Sequence, residues 1–192
     1  HENRGLVPHI KDVTKRMAAE GFLALAPDAL SPVGGTPEDI SNVRDLFGKL
    51  NPEETTKNFV AAVKYLKSHP NSNGKVGCTG FCWGGAMTNQ VAVNCENLDA
   101  AAPYYGSVPK TEDVPKIKAP ILAHYAENDE RINAGIPAFE EALKANKKEY
   151  QIYKYPGTQH AFNNDSNPER YNEEQAKIAW KRTVDFFKEK LK

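Results

Sequence analysis

Apolar residues recur along this chain with two different periods, and the periods take turns. From Pro8 to Glu20, Ile10, Val13 and Met17 fall on one face of a helix that Gly21 ends. Phe22-Leu-Ala-Leu-Ala26 is a short apolar run closed by Pro27-Asp28, which reads as a buried strand. Ser31 to Thr36, with Gly34-Gly35, is a loop, and Asp39 to Leu50 predicts a short helix of weak period. Asn51-Pro52-Glu53-Glu54 opens a stronger one: an Asn cap, Pro at the first helical position, and acid in the first turn, with Phe59, Val63 and Leu66 as its stripe. It stops near His69-Pro70, where the histidine reads as a charge at a helix C-terminus.

The alternation continues to the end of the chain. A strand around Lys75 to Phe81 is followed by a helix to Asn94, and Ala100 to Tyr104 is the next strand, running into Tyr105-Gly106. Lys110 to Lys118 is polar connection. Ala119 to Tyr125 is another buried strand, and Glu127-Asn-Asp-Glu130 an acidic loop after it. Pro137 to Ala145 is helical, and Tyr150 to Tyr155 alternates as a strand that stops at Pro156-Gly157. Asn167-Pro168-Glu169 is read as the cap of a last helix carrying Trp180, Val184, Phe187 and Leu191, which is core packing. Strands alternating with helices predict an α/β fold: a mostly parallel sheet with helices on both faces and ligands at the carboxyl ends of the strands.

One stretch departs from plain alternation. Gly80-Phe81-Cys82-Trp83-Gly84 has the spacing of a nucleophile elbow, in which a strand turns sharply into a helix and presents its central side chain at the tip. A lone cysteine among apolar neighbours is ordinarily a core residue. A core cysteine does not need glycines two before and two after, whereas a strained turn with a close-packed helix start does. The helix end beyond the elbow favours thiolate over thiol.

Composition narrows the setting. Lys plus Arg and Asp plus Glu are 25 each, so there is no net charge, and no basic stripe with aromatics points to nucleic acid. No apolar run approaches the roughly 20 residues that cross a bilayer. The 192 residues fit one domain, 1–192. Cys78, Cys82 and Cys95 are an odd count, which points to a reducing, cytoplasmic setting rather than a disulfide framework. Cys78 and Cys82, four apart on an extended strand, are too distant for a disulfide, which weakens a thiol redox reading.

A thiol nucleophile needs a base, and the base an orienting acid. Asp129 follows the Ile121 to Tyr125 strand and His160 follows the Tyr150 to Tyr155 strand, so both fall at the sheet edge where Cys82 lies. Glu127 and Glu130 compete with Asp129 on sequence grounds. The order nucleophile, acid, histidine is that of the α/β-hydrolases. His124 sits within a strand and reads as a satisfied core side chain; His1 and His9 have no comparable position.

Four pieces then carry a specific resemblance: His1-Glu-Asn-Arg-Gly-Leu6, Ala24-Leu-Ala-Pro-Asp28, Gly80-Phe-Cys-Trp-Gly-Gly85 and His160-Ala-Phe162. The chain resembles the dienelactone hydrolases, also called carboxymethylenebutenolidases, over essentially its whole length. The resemblance implies Cys82 as nucleophile, His160 as base, Asp129 as orienting acid, and Glu2 as a glutamate contacting the resting thiol. It implies an oxyanion hole from the main-chain N–H groups of Asn3 and Trp83, an acyl-thioester route for a small ester or enol-lactone, and no metal or cofactor. An arginine that holds the substrate carboxylate in the family stands four residues after the histidine, and here that position is Asn164; Arg44, expected in a loop, is the cation left to supply. The family's fold also places a strand, ending just before Glu2, between Phe22–Ala26 and the elbow strand. The chain is therefore expected to be a piece of a longer one, with that strand supplied upstream or by another copy. The rival expectation is a binding domain with a degenerate hydrolase fold.

Overall fold

The structure, a computed structural model, describes residues 1–192. Four parallel strands form one sheet in the order β1 (Gly77–Phe81), β2 (Ala100–Tyr104), β3 (Ile121–Asn128), β4 (Tyr150–Gln159). The helices are α1 (Pro8–Ala19), α2 (Val43–Gly48), α3 (Pro52–Ser68), α4 (Trp83–Asn94), α5 (Glu130–Asn133), α6 (Ile136–Ala145) and α7 (Glu173–Lys190). Short 3₁₀ turns occupy Ser31–Val33 and Thr111–Lys116. No helix is long and apolar enough to cross a membrane.

β1 is joined to β2 through α4 and β3 to β4 through α5 and α6, while β2 reaches β3 through the 3₁₀ turn Thr111–Lys116; consecutive strands lie side by side and parallel. The core lies on both faces. On one, Val63 of α3, Val91 of α4 and Phe139 and Leu143 of α6 pack on Ile121 and Ala123. On the other, Ile10 and Val13 of α1 and Ala176 and Ala179 of α7 enclose Phe81, Tyr104 and Tyr155. A side chain as completely buried as Phe139 or Leu143 contributes roughly 1.5–3 kcal/mol.

The predicted start of α3 holds in detail: the Asn51 side chain accepts from the Glu54 N–H at 3.0 Å, with Pro52 at the first position. Other expectations need correction. The last helix begins at Glu173, where Asn172 accepts from the Gln175 N–H at 3.1 Å; Asn167 instead closes a turn through its carbonyl to the Arg170 and Tyr171 N–H groups. β3 continues through Glu127 to Asn128 because β4 stays alongside it. β4 in turn runs past Pro156-Gly157, since the ladder shifts register between Ala126 and Asn128 and Gly157 takes φ 66°.

Phe22–Ala26 is extended but pairs with no strand, and Leu23 and Leu25 are each 43% exposed, so it is not the buried strand expected. It does not lie against β1. A groove of about 500 Å³, lined by Val13, Phe22, Ala24, Gly77, Thr79 and Phe187 among others, runs between the two. At its end the His1 carbonyl accepts from the Phe81 N–H at 2.9 Å.

Candidate active site

The elbow is built by close approach of backbone to backbone. Cys82 follows β1 with φ 56° and ψ −115°, a positive-φ conformation that a side-chain-bearing residue adopts only when its surroundings impose it. The Cys82 N–H donates to the Tyr104 carbonyl at 3.0 Å, tying the turn to β2. A Cβ on Gly80 would stand 2.3 Å from the Gly84 carbonyl oxygen, and one on Gly84 would stand 2.0 Å from that of His1. Both glycines are therefore dictated by contact, and α4 starts immediately at Trp83.

Asp129 and His160 reach the same rim from β3 and β4. Asp129 is the first residue beyond β3 and caps α5, its Oδ1 accepting from the Ile132 N–H at 3.5 Å. Its Oδ2 lies 2.5 Å from His160 Nδ1, and His160 Nε2 lies 3.0 Å from the Cys82 sulfur. The rival acids go elsewhere. Glu127 accepts from the Gly157 N–H at 2.8 Å, pinning the β4 bend, and Glu130 is exposed.

Burial pushes the Cys82 thiol above its ordinary pKa. The Trp83 N–H and the charge of Arg131 pull it down, while the charges of Glu2 and Asp129 push it up. The helix start thus acts as the elbow reading expects, but burial outweighs it. Burial thus favours the thiol form of Cys82, whose sulfur faces the His160 ring at 3.0 Å, an arrangement suited to passing a proton as the sulfur attacks.

The N-terminal loop brings Glu2 to the same site. It is held by Leu6 N–H donating to Thr36 Oγ1 at 2.8 Å, and by Asp28 accepting from both the N–H and the hydroxyl of Thr36. This gives the Ala24–Asp28 piece its role: Asp28 fixes the loop that positions residues 1–6. Glu2 is 7% exposed, and its Oε2 accepts from Asn164 Nδ2 at 2.7 Å; its Oε1 has no partner. Glu2 makes no hydrogen bond to the Cys82 sulfur, whose partner is His160. Asn164 is oriented in turn by Ser166, whose N–H and hydroxyl both donate to Asn164 Oδ1, at 3.0 and 2.5 Å.

Trp83 packs edge-on against Phe47 (centroids 4.9 Å), with His1 and Phe59 around it. Asn3 is exposed beside Glu2. Arg44 lies on α2, not in a loop, and is exposed without an ion pair. Sequence reading gave no role to two side chains that the fold brings here. Tyr105, with φ 34°, lays its ring 5.1 Å from that of His160, and Arg131 is the cation acting on Cys82. The signal for Tyr105 was its place immediately after β2, at the carboxyl end of a strand. His124 is satisfied within the core, Nδ1 to the Tyr155 hydroxyl at 2.7 Å and Nε2 to Thr183 Oγ1 at 2.9 Å.

Comparison with known proteins agrees with the fold. The dienelactone hydrolase family profile matches residues 1–191. A protein of Saccharolobus solfataricus provisionally named carboxymethylenebutenolidase is 32% identical over 224 residues, covering 98% of this chain and 86% of the relative. One of Escherichia coli with the same provisional name is 32% identical, over 96% of this chain and 73% of its own. The solved structure of a provisionally named dienelactone hydrolase from Klebsiella pneumoniae superposes with a TM-score of 0.87 at 30% identity, covering 97% of this chain and 83% of that one. A dienelactone hydrolase-like promiscuous phosphotriesterase from metagenomic libraries shares the fold, with a TM-score of 0.85 at 22% identity, covering 100% of this chain and 84% of that one.

Proposed function

Since the chain belongs to the dienelactone hydrolase family, we propose that it cleaves a small carboxylic ester or enol-lactone with Cys82, His160 and Asp129 as its catalytic triad. The observation that carries this reading is the unbroken chain of contacts from Asp129 Oδ2 through both nitrogens of His160 to the Cys82 sulfur, at 2.5 and 3.0 Å. Asp129 fixes the imidazole with Nδ1–H donating to the carboxylate, which leaves Nε2 free to take the thiol proton. The sulfur then attacks the ester carbonyl, and the N–H groups of Trp83 and Asn3 take the developing oxyanion. His160 returns the proton to the leaving oxygen, and an acyl-thioester remains on Cys82. Water, giving its proton to His160, adds to the thioester; the acid leaves and the thiol is restored. No step calls on a cofactor.

Arg44 is offered here as a cation for the outer part of a substrate, a role its unpaired exposure permits. The groove beside β1 is offered as the seat of a further extended segment, from elsewhere in the polypeptide or another copy; its apolar lining and the His1–Phe81 hydrogen bond at its end support that reading. The experiment that tests the function is p-nitrophenyl acetate hydrolysis by the intact chain beside Cys82→Ala, with site-resolved iodoacetamide labelling. Turnover lost in the variant, and one thiol reacting ahead of Cys78 and Cys95, is expected. An unreactive Cys82 with no turnover would instead mark a binding domain.

A further inference from the structure

Two buried polar atoms beside Cys82 lack partners: Oε1 of Glu2, a residue 7% exposed, and the hydroxyl of Tyr105, a residue with no exposure. They do not reach each other. Glu2 has no cation either; its one hydrogen bond comes from the neutral amide of Asn164, which Ser166 holds in that orientation. A buried carboxyl oxygen and a buried phenol left unmet each cost about 1–3 kcal/mol, so such a pair is retained where a ligand meets both.

Both atoms lie near the Cys82–His160 pair. The Tyr105 ring rests against His160, and Glu2 and Cys82 are among the charges felt by the phenol, which burial foremost pushes well above its ordinary pKa. The Asn163 N–H faces the phenolic oxygen, so what Tyr105 has left to offer is its O–H. The missing group must therefore accept from Tyr105 and satisfy a carboxyl oxygen. A substrate carboxylate would meet Glu2 as a like charge, with Asn164 supplying no compensating cation. An ammonium has no lone pair for Tyr105. A hydroxyl does both at once.

Building on the hydrolase reading, we propose that Glu2 Oε1 and the Tyr105 hydroxyl form a subsite for an uncharged hydroxyl group adjacent to the ester, making hydroxy-esters the substrate class. The hydroxyl donates to Glu2 and accepts from Tyr105, holding the ester carbonyl over the Cys82 sulfur.

The test compares four small esters: ethyl glycolate, with the hydroxyl in the acyl part; 2-hydroxyethyl acetate, with it in the leaving alcohol; ethyl acetate, with none; and the monoethyl malonate anion. The intact protein is expected to favour one of the two hydroxy-esters over ethyl acetate by about tenfold or more in kcat/KM, through KM, and to disfavour the anion. The two arms show which side of the ester carries the hydroxyl. Because a hydroxyl also alters intrinsic ester reactivity, the deciding quantity is the change in that ratio between proteins: it should fall toward one in both Tyr105→Phe and Glu2→Gln. A ratio unchanged in both variants, or a preference for the anion, overturns the proposal. Ligand-observed NMR of glycolamide against acetamide, run on Cys82→Ala, reads the subsite without turnover. Preferential glycolamide binding that Tyr105→Phe removes sustains the subsite even if no ester is cleaved; equal binding of the two amides overturns it, whatever the fate of the hydrolase reading.

Discussion

His160 Nδ1 stands 2.5 Å from Asp129 Oδ2 although the two residues follow different strands, and this contact fixes which imidazole nitrogen faces Cys82. It depends on β3 and β4 pairing through Asn128 and Gln159, the last residues of each strand. Asp129→Asn leaves the shape but allows the wrong tautomer, so kcat is expected to fall by about 10³- to 10⁴-fold with KM little changed. Steady-state kinetics on a chromogenic ester checks this, and a loss below tenfold would remove Asp129 from the triad.

The electrostatics around Cys82 set a pH dependence. Burial raises the thiol pKa, so alkylation of Cys82 should climb toward alkaline pH with a midpoint above that of an ordinary cysteine. Glu2→Gln removes a negative charge that opposes the thiolate and should move the midpoint to lower pH. Arg131→Gln removes a favourable positive charge and should move it higher. Site-resolved mass spectrometry of iodoacetamide adducts across pH reads all three.

Gly84 is dictated by contact, with no space between it and the His1 carbonyl. Gly84→Ala should destabilise by about 2–4 kcal/mol, since a Cβ at 2.0 Å must displace backbone rather than a side chain. Thermal and urea unfolding measure it; a change under about 0.5 kcal/mol would mean the N-terminal loop is not held against α4.

His124 gives an acid limit to stability. Complete burial, with the charge of Arg182 adding to it, holds its pKa down to about 3. The unfolded chain binds a proton there near pH 6.5, so between the two values the unfolded state carries more protons than the native one. Stability is therefore full above about pH 6.5 and falls as pH drops toward 3, by up to about 1.4 kcal/mol per unit. His124→Gln, which keeps a hydrogen-bonding side chain without the titration, should flatten that slope in urea melts at pH 7, 6 and 5.

What the sequence disclosed divides along physical lines. The helix of Asn51-Pro52, the elbow glycines and the strand-end positions of Asp129 and His160 were legible because each depends on local chemistry or on the parallel alternation itself. Phe22–Ala26 was misread because an apolar run does not reveal whether a neighbouring strand is there to pair with it. The start of α7 was misplaced because Asn167 and Asn172 both have capping chemistry and only the packed turn decides between them. Tyr105 stands just past β2, a place the sequence does show, but its contact with the His160 ring comes from packing across the sheet end, which spacing along the chain does not encode.

The most direct measurement is acid quench of the intact protein during turnover of p-nitrophenyl acetate, followed by peptide mass spectrometry. The account predicts an acetyl group on the peptide containing Cys82, formed in a burst, and neither adduct nor burst in Cys82→Ala. Turnover undiminished in that variant, or the acetyl group on any other residue, would contradict it.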